Sequence, residues 1–208
     1  DAATPRGRLR LTAPSILAEA LLIPLLAEFA KTYQHIKVDL LISDRPVDLV
    51  QDRIDVAIRI ANSLDPALIA KRLGSCSSGL YAAPTYLTAH GQPDDVDGLK
   101  THQCLTYANL GGAQWVLGDG RTKTVVTVSG SFQTNDALAL RRAAISGMGI
   151  AMLPCFSSEA DVAEGRLRKV LEEWEPETMG IHALYVSRHH LPMAARALID
   201  FLSARMSR

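Results

Sequence analysis

The first sixty residues alternate between two hydrophobic periods, and this alternation constrains the fold more than anything else in the chain. Arg8 to Thr12 reads as a short strand, closed by Ala13-Pro14-Ser15. Leu22, Leu25, Leu26 and Phe29 then recur at the i, i+3, i+4, i+7 spacing of a buried helix face. Pro24 lies inside that pattern, which predicts a helix start or a kink there. Lys37 to Ile42 predicts a second strand, Val47 to Arg53 a short helix, and Asp55 to Ile60 a third strand. Strand, helix, strand, helix, strand in so short a span is a βαβαβ unit. The expected class is therefore α/β, with a parallel sheet covered by helices.

Beyond residue 60 the pattern loosens. Leu68 to Leu73 and Gly79 to Ala83 read as extended, Asp94 to Thr124 as irregular, and Val125 to Val128 as a strand. Asn135 to Ser146 predicts a helix stopped by Gly147. Gly149 to Leu153 predicts a buried strand ended by Pro154, followed by strands at Leu167 to Leu171 and Ile181 to Val186. Ala194, Ala197, Leu198, Phe201 and Leu202 share one face of a final helix. Charge divides the chain too. Residues 1–72 with 178–208 carry 14 basic and 10 acidic side chains, and residues 73–177 carry 8 and 12. A middle segment of opposite sign, flanked by two pieces of one unit, predicts two lobes. Lobe I takes 1–73 and 178–208, and lobe II takes 74–177. The expected crossings lie near Gly74 and near Glu175 to Thr178, and the groove between the lobes is the expected ligand site.

Several function classes fall away. Lys plus Arg equals Asp plus Glu at 22 each, so the chain lacks the basic balance of a nucleic-acid-binding module. The most apolar region, Ile16 to Ala30, is broken by Glu19, Pro24 and Glu28, so no membrane span is expected. Asp1 to Arg10 has no apolar core of an export signal. Cys76, Cys104 and Cys155 are odd in number and far apart, as in a reducing compartment, and read as small buried hydrophobes. A cytoplasmic location is the expectation. Ser146 sits at a helix end rather than in a G-x-S-x-G elbow, and no cysteine has a local histidine signature. His182, His189 and His190 lie close in sequence, but neither C-x-x-C nor H-E-x-x-H occurs. Gly147-Met148-Gly149 follows a helix and precedes a strand, the reverse of a dinucleotide loop. No enzyme activity, catalytic residue, cofactor or metal is expected.

Ligand binding without chemistry remains. Ligands of open α/β sheets lie beyond the carboxyl ends of the strands. Here those ends are Pro14, Ser15 and Ile16, then Ser43 and Asp44, then Arg59. In the second lobe the matching element is the helix start at Asn135 and Asp136. Helix N-termini suit an anion such as a carboxylate. Each residue also has a structural reading. Ser15 and Asn135 are ordinary N-cap types, Asp136 would satisfy its own helix end, and Arg59 would pair with Asp55 or Asp44.

Five segments, in register along the whole chain, resemble one family. They are Leu25-Leu26-Ala27-Glu28-Phe29 after Pro24, and Asp48-Leu49-Val50 with Asp55-Val56-Ala57-Ile58-Arg59-Ile60. Then come Ala83-Pro84-Thr85-Tyr86-Leu87, Gly147-Met148-Gly149-Ile150-Ala151-Met152-Leu153-Pro154, and the ending from Ser187-Arg188-His189-His190-Leu191 to Ile199-Asp200-Phe201-Leu202. Together they resemble the effector-binding region of the LysR-type transcriptional regulators. The resemblance implies two Rossmann-like lobes joined by two crossing strands, like a type 2 periplasmic binding protein. It implies a small-molecule effector between the lobes, of which an organic acid is the class favoured by family habit. It also implies a homodimer or homotetramer, and DNA binding only through a winged helix-turn-helix domain outside these residues. Its effector contacts carry over to Pro14-Ser15-Ile16, Ser43-Asp44, the strand of Tyr107, the Asn135 helix start and the Pro154 turn. This chain departs from the family at Tyr33-Gln34, where Tyr-Pro is usual, and Cys104 and Cys155 lack the close spacing of the redox-sensing branch. The competing reading is a free-standing periplasmic solute-binding protein of an uptake system.

Overall fold

Leu9, Leu11 and Ala13 are fully buried, and so is Thr12 between them, so the first strand is central rather than an edge. The structure, a computed structural model, describes residues 4–206. In chain order its first elements are β1 (Gly7–Ala13), α1 (Ser15–Leu17), a π-helical turn (Ala18–Leu22), α2 (Ile23–Thr32), β2 (Ile36–Ile42), β3 (Val56–Ala61) and β4 (Ile69–Cys76). There follow β5 (Ser78–Ala82), α3 (Pro84–His90), a 3-10 turn (Asp97–Thr101), β6 (Cys104–Tyr107), β7 (Gln114–Gly118), β8 (Lys123–Thr127), β9 (Gln133–Thr134) and α4 (Ala137–Ile145). The last are β10 (Ile150–Pro154), α5 (Cys155–Ala163), β11 (Arg168–Val170), β12 (Glu175–Pro176), β13 (Met179–Tyr185) and α6 (Met193–Met206). The chain divides into two compact units, Asp1–Cys76 with Met179–Arg208, and Ser77–Thr178.

In the first unit one sheet runs β2-β1-β3-β13-β4. β1 pairs parallel with both β2 and β3, as the βαβαβ reading requires. β13 then pairs antiparallel with β3 and with β4. The carboxyl ends of β1, β2, β3 and β4 thus share one edge, with the start of β13 between them.

One helix expectation holds and one is corrected. α2 starts at Ile23 with Pro24 in its first turn, as expected, although helical backbone of α and π type already leads into it from Ser15. Proline cannot donate to the carbonyl one turn back. The run absorbs this defect in the π turn just before it, where Ile23 N–H reaches Ala18 O. Val47 to Arg53 forms a turn rather than a helix. The Asp48 carboxylate accepts from the N–H groups of Val50 and Gln51, both at 2.9 Å, and Asp52 N–H closes one turn on Asp48 O. Arg53 then takes φ of +53°, which ends any helix. The final helix is present, with Phe201 edge-on to Phe29 of α2 at 5.4 Å between ring centres. Its buried face is turned slightly from the expected one, because Ala195 and Ile199 are buried while Ala197 and Phe201 are only partly so.

The second unit has a sheet in the order β11-β5-β10-β6-β9 and a smaller one in the order β12-β7-β8. Its core gathers Leu80, Leu99, Trp115, Leu117, Val126 and Ile150. α3, β7 and α5 lie in stretches that carry no clear periodicity. Two glycines explain the Gly147-Met148-Gly149 motif. Gly147 follows α4 at φ of +82°, a left-handed helix stop. A side chain at Gly149 would put its Cβ 2.2 Å from the Gln103 carbonyl oxygen, so β10 can begin there only with glycine.

Candidate functional site

In the first unit the expected residues do gather at one edge of the sheet. β1 ends at Ala13, and Pro14 turns the chain into α1 with extended dihedrals (φ −66°, ψ 151°). Pro14, not Ser15, is therefore the N-cap residue, and Ser15 is the first helical residue. Ser15 N–H donates to Asp44 Oδ1 at 2.7 Å, so the carboxylate after β2 already caps this helix. The Ser15 side chain is 5% exposed, and its Oγ is the one fully buried side-chain polar atom without a hydrogen-bond partner among the described residues. A buried, unpaired hydroxyl costs about 1–3 kcal/mol, so its presence asks for a partner. The Ile16 side chain is buried in the core.

Arg59 ties this edge together. Its Nη1 donates to Ser43 O at 3.1 Å and Ile58 O at 3.2 Å, and its Nη2 to Thr12 Oγ1 at 3.1 Å and Arg45 O at 3.2 Å. One guanidinium thereby links the ends of all three parallel strands. Ser43 Oγ donates to Arg45 O at 2.9 Å and accepts from Arg45 N–H, which closes the loop after β2. Thr12 was not singled out from sequence. Its burial inside an apolar strand is the signal that could have found it.

The second unit repeats the arrangement. β6 pairs parallel with β10 and with β9, so Tyr107, Thr134 and Pro154 end on one edge of that sheet. Asn109, also missed from sequence, binds this edge together. Its Nδ2 donates to Tyr107 Oη at 3.3 Å and to Asn135 O at 3.0 Å. Asn135 is exposed and precedes the cap, which is Asp136. Asp136 Oδ1 accepts from Ala139 N–H at 2.8 Å, and Asp136 N–H donates to Thr134 Oγ1 at 3.1 Å. A carboxylate already caps the helix on this side as well. The Pro154 carbonyl accepts from Ser157 Oγ and Ser158 Oγ at 2.9 and 3.0 Å, starting α5. The chain passes between the units at Cys76–Ser77 and Thr178–Met179, and in the first unit Cys76 and Met179 lie at the carboxyl ends of the parallel strands.

Reactive groups lie elsewhere. Burial pushes the Cys104 thiol up to about 12, far from a reactive thiolate. Cys76 is buried as expected, while Cys155 is only half-buried beside Tyr81, whose hydroxyl points at its Sγ from 3.5 Å. The Asp161 carboxylate, fully buried, accepts from Arg141 Nε and Nη2 at 2.7 and 2.9 Å and from Arg166 Nε at 2.8 Å. Burial alone would raise its pKa, but the two guanidinium groups outweigh it and hold it below the usual range. Among the described residues, no group of three or more His, Cys, Asp or Glu side chains could hold a metal ion. Among them also, no helix is long and apolar enough to cross a membrane.

This α/β plan, with its polar strand ends and capped helices, matches a known one along nearly its whole length. Residues 2–207 match the family described as LysR substrate binding domain. The chain belongs to that family. The regulator CrgA of Neisseria meningitidis serogroup C is 32% identical over 200 residues, covering 95% of this chain and 67% of that protein. The CrgA regulatory domain superposes with a TM-score of 0.88 at 30% identity, covering 98% of this chain and all of that one. Full-length AphB, the Vibrio cholerae virulence activator, gives 0.84 at 31% identity, covering 96% and 69%. The matches make the fold the two-lobe, type 2 periplasmic-binding-protein-like arrangement of LysR regulatory domains, and they lend no support to the uptake-system alternative. The relatives are bacterial proteins named as transcriptional regulators. The chain spans 60–67% of the length of these relatives. In this chain the stretch from Asp55 to Ile60 places Arg59 where it braces the strand ends, and Gly147 and Gly149 meet backbone demands of α4 and β10.

Proposed function

We propose that this chain is the effector-sensing domain of a bacterial LysR-type transcription regulator acting in the cytoplasm. A small organic acid binds at the carboxyl ends of the parallel strands, with contacts drawn from Pro14, Ser15, Ile16, Ser43, Asp44 and Arg59 in one unit. Tyr107, Asn135, Asp136 and Pro154 contribute from the other. Binding favours one of two arrangements of the domain, and the whole regulator passes that preference to a DNA-binding domain outside these residues. The shift is limited by the effector's differential affinity for the two arrangements. The regulator works as a homodimer or homotetramer, without catalysis, cofactor or metal.

The observation that carries this reading is the buried, unpartnered Ser15 hydroxyl, on the same sheet edge as the Arg59 guanidinium that holds Thr12 and the 43–45 loop. Thermal melts of the chain against a panel of aliphatic and aromatic carboxylates test it. At least one compound should raise the wild-type Tm by ligand linkage. Ser15→Ala should lose most of that rise. An equal rise in both proteins would move the site away from Ser15, and a response to neutral compounds alone would reject the organic-acid class.

A further inference from the structure

We propose that the first unit carries a second small-molecule site, centred on Tyr185 and suited to a carboxylate with a small apolar body. β13 runs antiparallel to β3, so Tyr185 at its end lies with the amino ends of β1, β2 and β3. The seven-residue strand puts Tyr185 about 20 Å along the sheet from the edge that holds Ser15. Nothing in the effector reading uses this end of the sheet.

Two adjoining cavities open here, of about 200 and 290 Å³, and Tyr185 and Leu191 line both. Together they reach the size of ordinary ligand pockets, roughly 300–1,000 Å³. Tyr185 is only 9% exposed, yet among the described residues its hydroxyl has no hydrogen-bond partner. It is also not among the fully sealed atoms, so the oxygen reaches solvent through the cavities it lines. A phenol so deeply placed normally finds a partner.

The charge of the walls selects the ligand. Arg188 and Arg196 line the smaller cavity, and neither has an ion pair among the described residues. The acidic groups nearby are engaged. Asp200 meets Lys71 Nζ at 3.2 Å, and Asp55 Oδ2, in the wall of the larger cavity, accepts from the Arg10 backbone N–H at 2.8 Å and keeps its charge. Lys71, Arg188 and Arg196 against Asp55 and Asp200 leave the walls net positive, and the surplus is in the smaller cavity, where a guanidinium fork takes a carboxylate through two parallel bonds. Ile199 and Ile54, both nearly buried, give the apolar floor. A compact anion such as phosphate would use the guanidinium groups but leave that floor bare.

The test is a 1H–15N NMR titration of the chain with phenylacetate, run beside inorganic phosphate at matched ionic strength. Phenylacetate should shift the amides of residues 185–191 and 199–200 and saturate near the millimolar range. Phosphate should not. The Arg188→Gln/Arg196→Gln pair should weaken phenylacetate at least about tenfold, the loss of one charge-assisted bond. Tyr185→Phe should weaken it several-fold and leave the rest of the spectrum in place. Three results would overturn the proposal. They are equal shifts with phosphate, phenylacetate shifts that survive the paired substitution, and shifts confined to the amides around Ser15 and Ser43.

Discussion

Ser15 holds a hydroxyl that the protein core does not satisfy, while its own N–H is fully used by Asp44. That combination separates function from stability. Removing the hydroxyl takes away an unpaired buried group, so Ser15→Ala should leave the urea midpoint unchanged or raise stability by about 1 kcal/mol. A loss of stability would mean that the hydroxyl has a structural partner. Gly149 is the opposite case, since its lack of a side chain is the structural requirement. Gly149→Ala would drive Cβ into the Gln103 carbonyl, a backbone atom that cannot rotate away. The strain should cost about 3 kcal/mol or more, read as a fall in Tm of several degrees. Gly147→Ala meets its positive φ and a Cβ contact of 3.0 Å to Thr85 Oγ1, a side-chain atom that can move aside, and should cost about 1 kcal/mol.

At the scale of elements, the second unit relies on one buried ion cluster. Asp161 near the end of α5 is held by Arg141 from α4 and by Arg166 from the following turn. The cluster does what a sheet ladder cannot, which is to fix two helices to each other through side chains. Asp161→Ala strands two guanidinium groups and should cost about 3 kcal/mol in chemical denaturation. Asp161→Asn keeps the shape and should cost less. The carboxyl pKa is depressed in the folded state, so its contribution is complete above the unfolded value near 3.9 and is lost as pH falls through the folded value. The helical run from Ser15 to Thr32 shows a different solution at the same scale. There a π turn accepts a proline without ending the helix.

For the whole molecule, acid should act in two stages. His102 and His182 both have lowered pKa values, in each case first through burial. His90 adds to the effect at His102, and Arg72 at His182, where a backbone hydrogen bond to Ala61 opposes it. Tyr86 Oη accepts from Gln103 N–H at 2.9 Å and has its proton free for His102 Nδ1, also at 2.9 Å, which requires a neutral ring. A lowered histidine pKa contributes stability above the unfolded value near 6.5 and loses it as pH falls below. The melting temperature should therefore decline first below about pH 6.5 and again below about pH 4. His102→Phe should flatten the first decline, and an unchanged profile would remove His102 as its source. Much of this molecule is legible in its residues. Period-2 and period-3.6 patterns mark β1, β2, β3 and α6, because burying an apolar face is a local demand repeated at each turn or pleat. The strand-end turns at Ser15, Ser43 and Pro154 follow from those elements, and the family motifs place them in order. Other features depend on contacts between distant residues and leave no local mark. The antiparallel seat of β13 between β3 and β4, the caps by Asp44 and Asp136, and the grip of Arg59 on Thr12 and two carbonyls of the 43–45 loop are of this kind. A hydrogen bond has no sequence period, so only the folded chain could say which partner each polar group at the site would find.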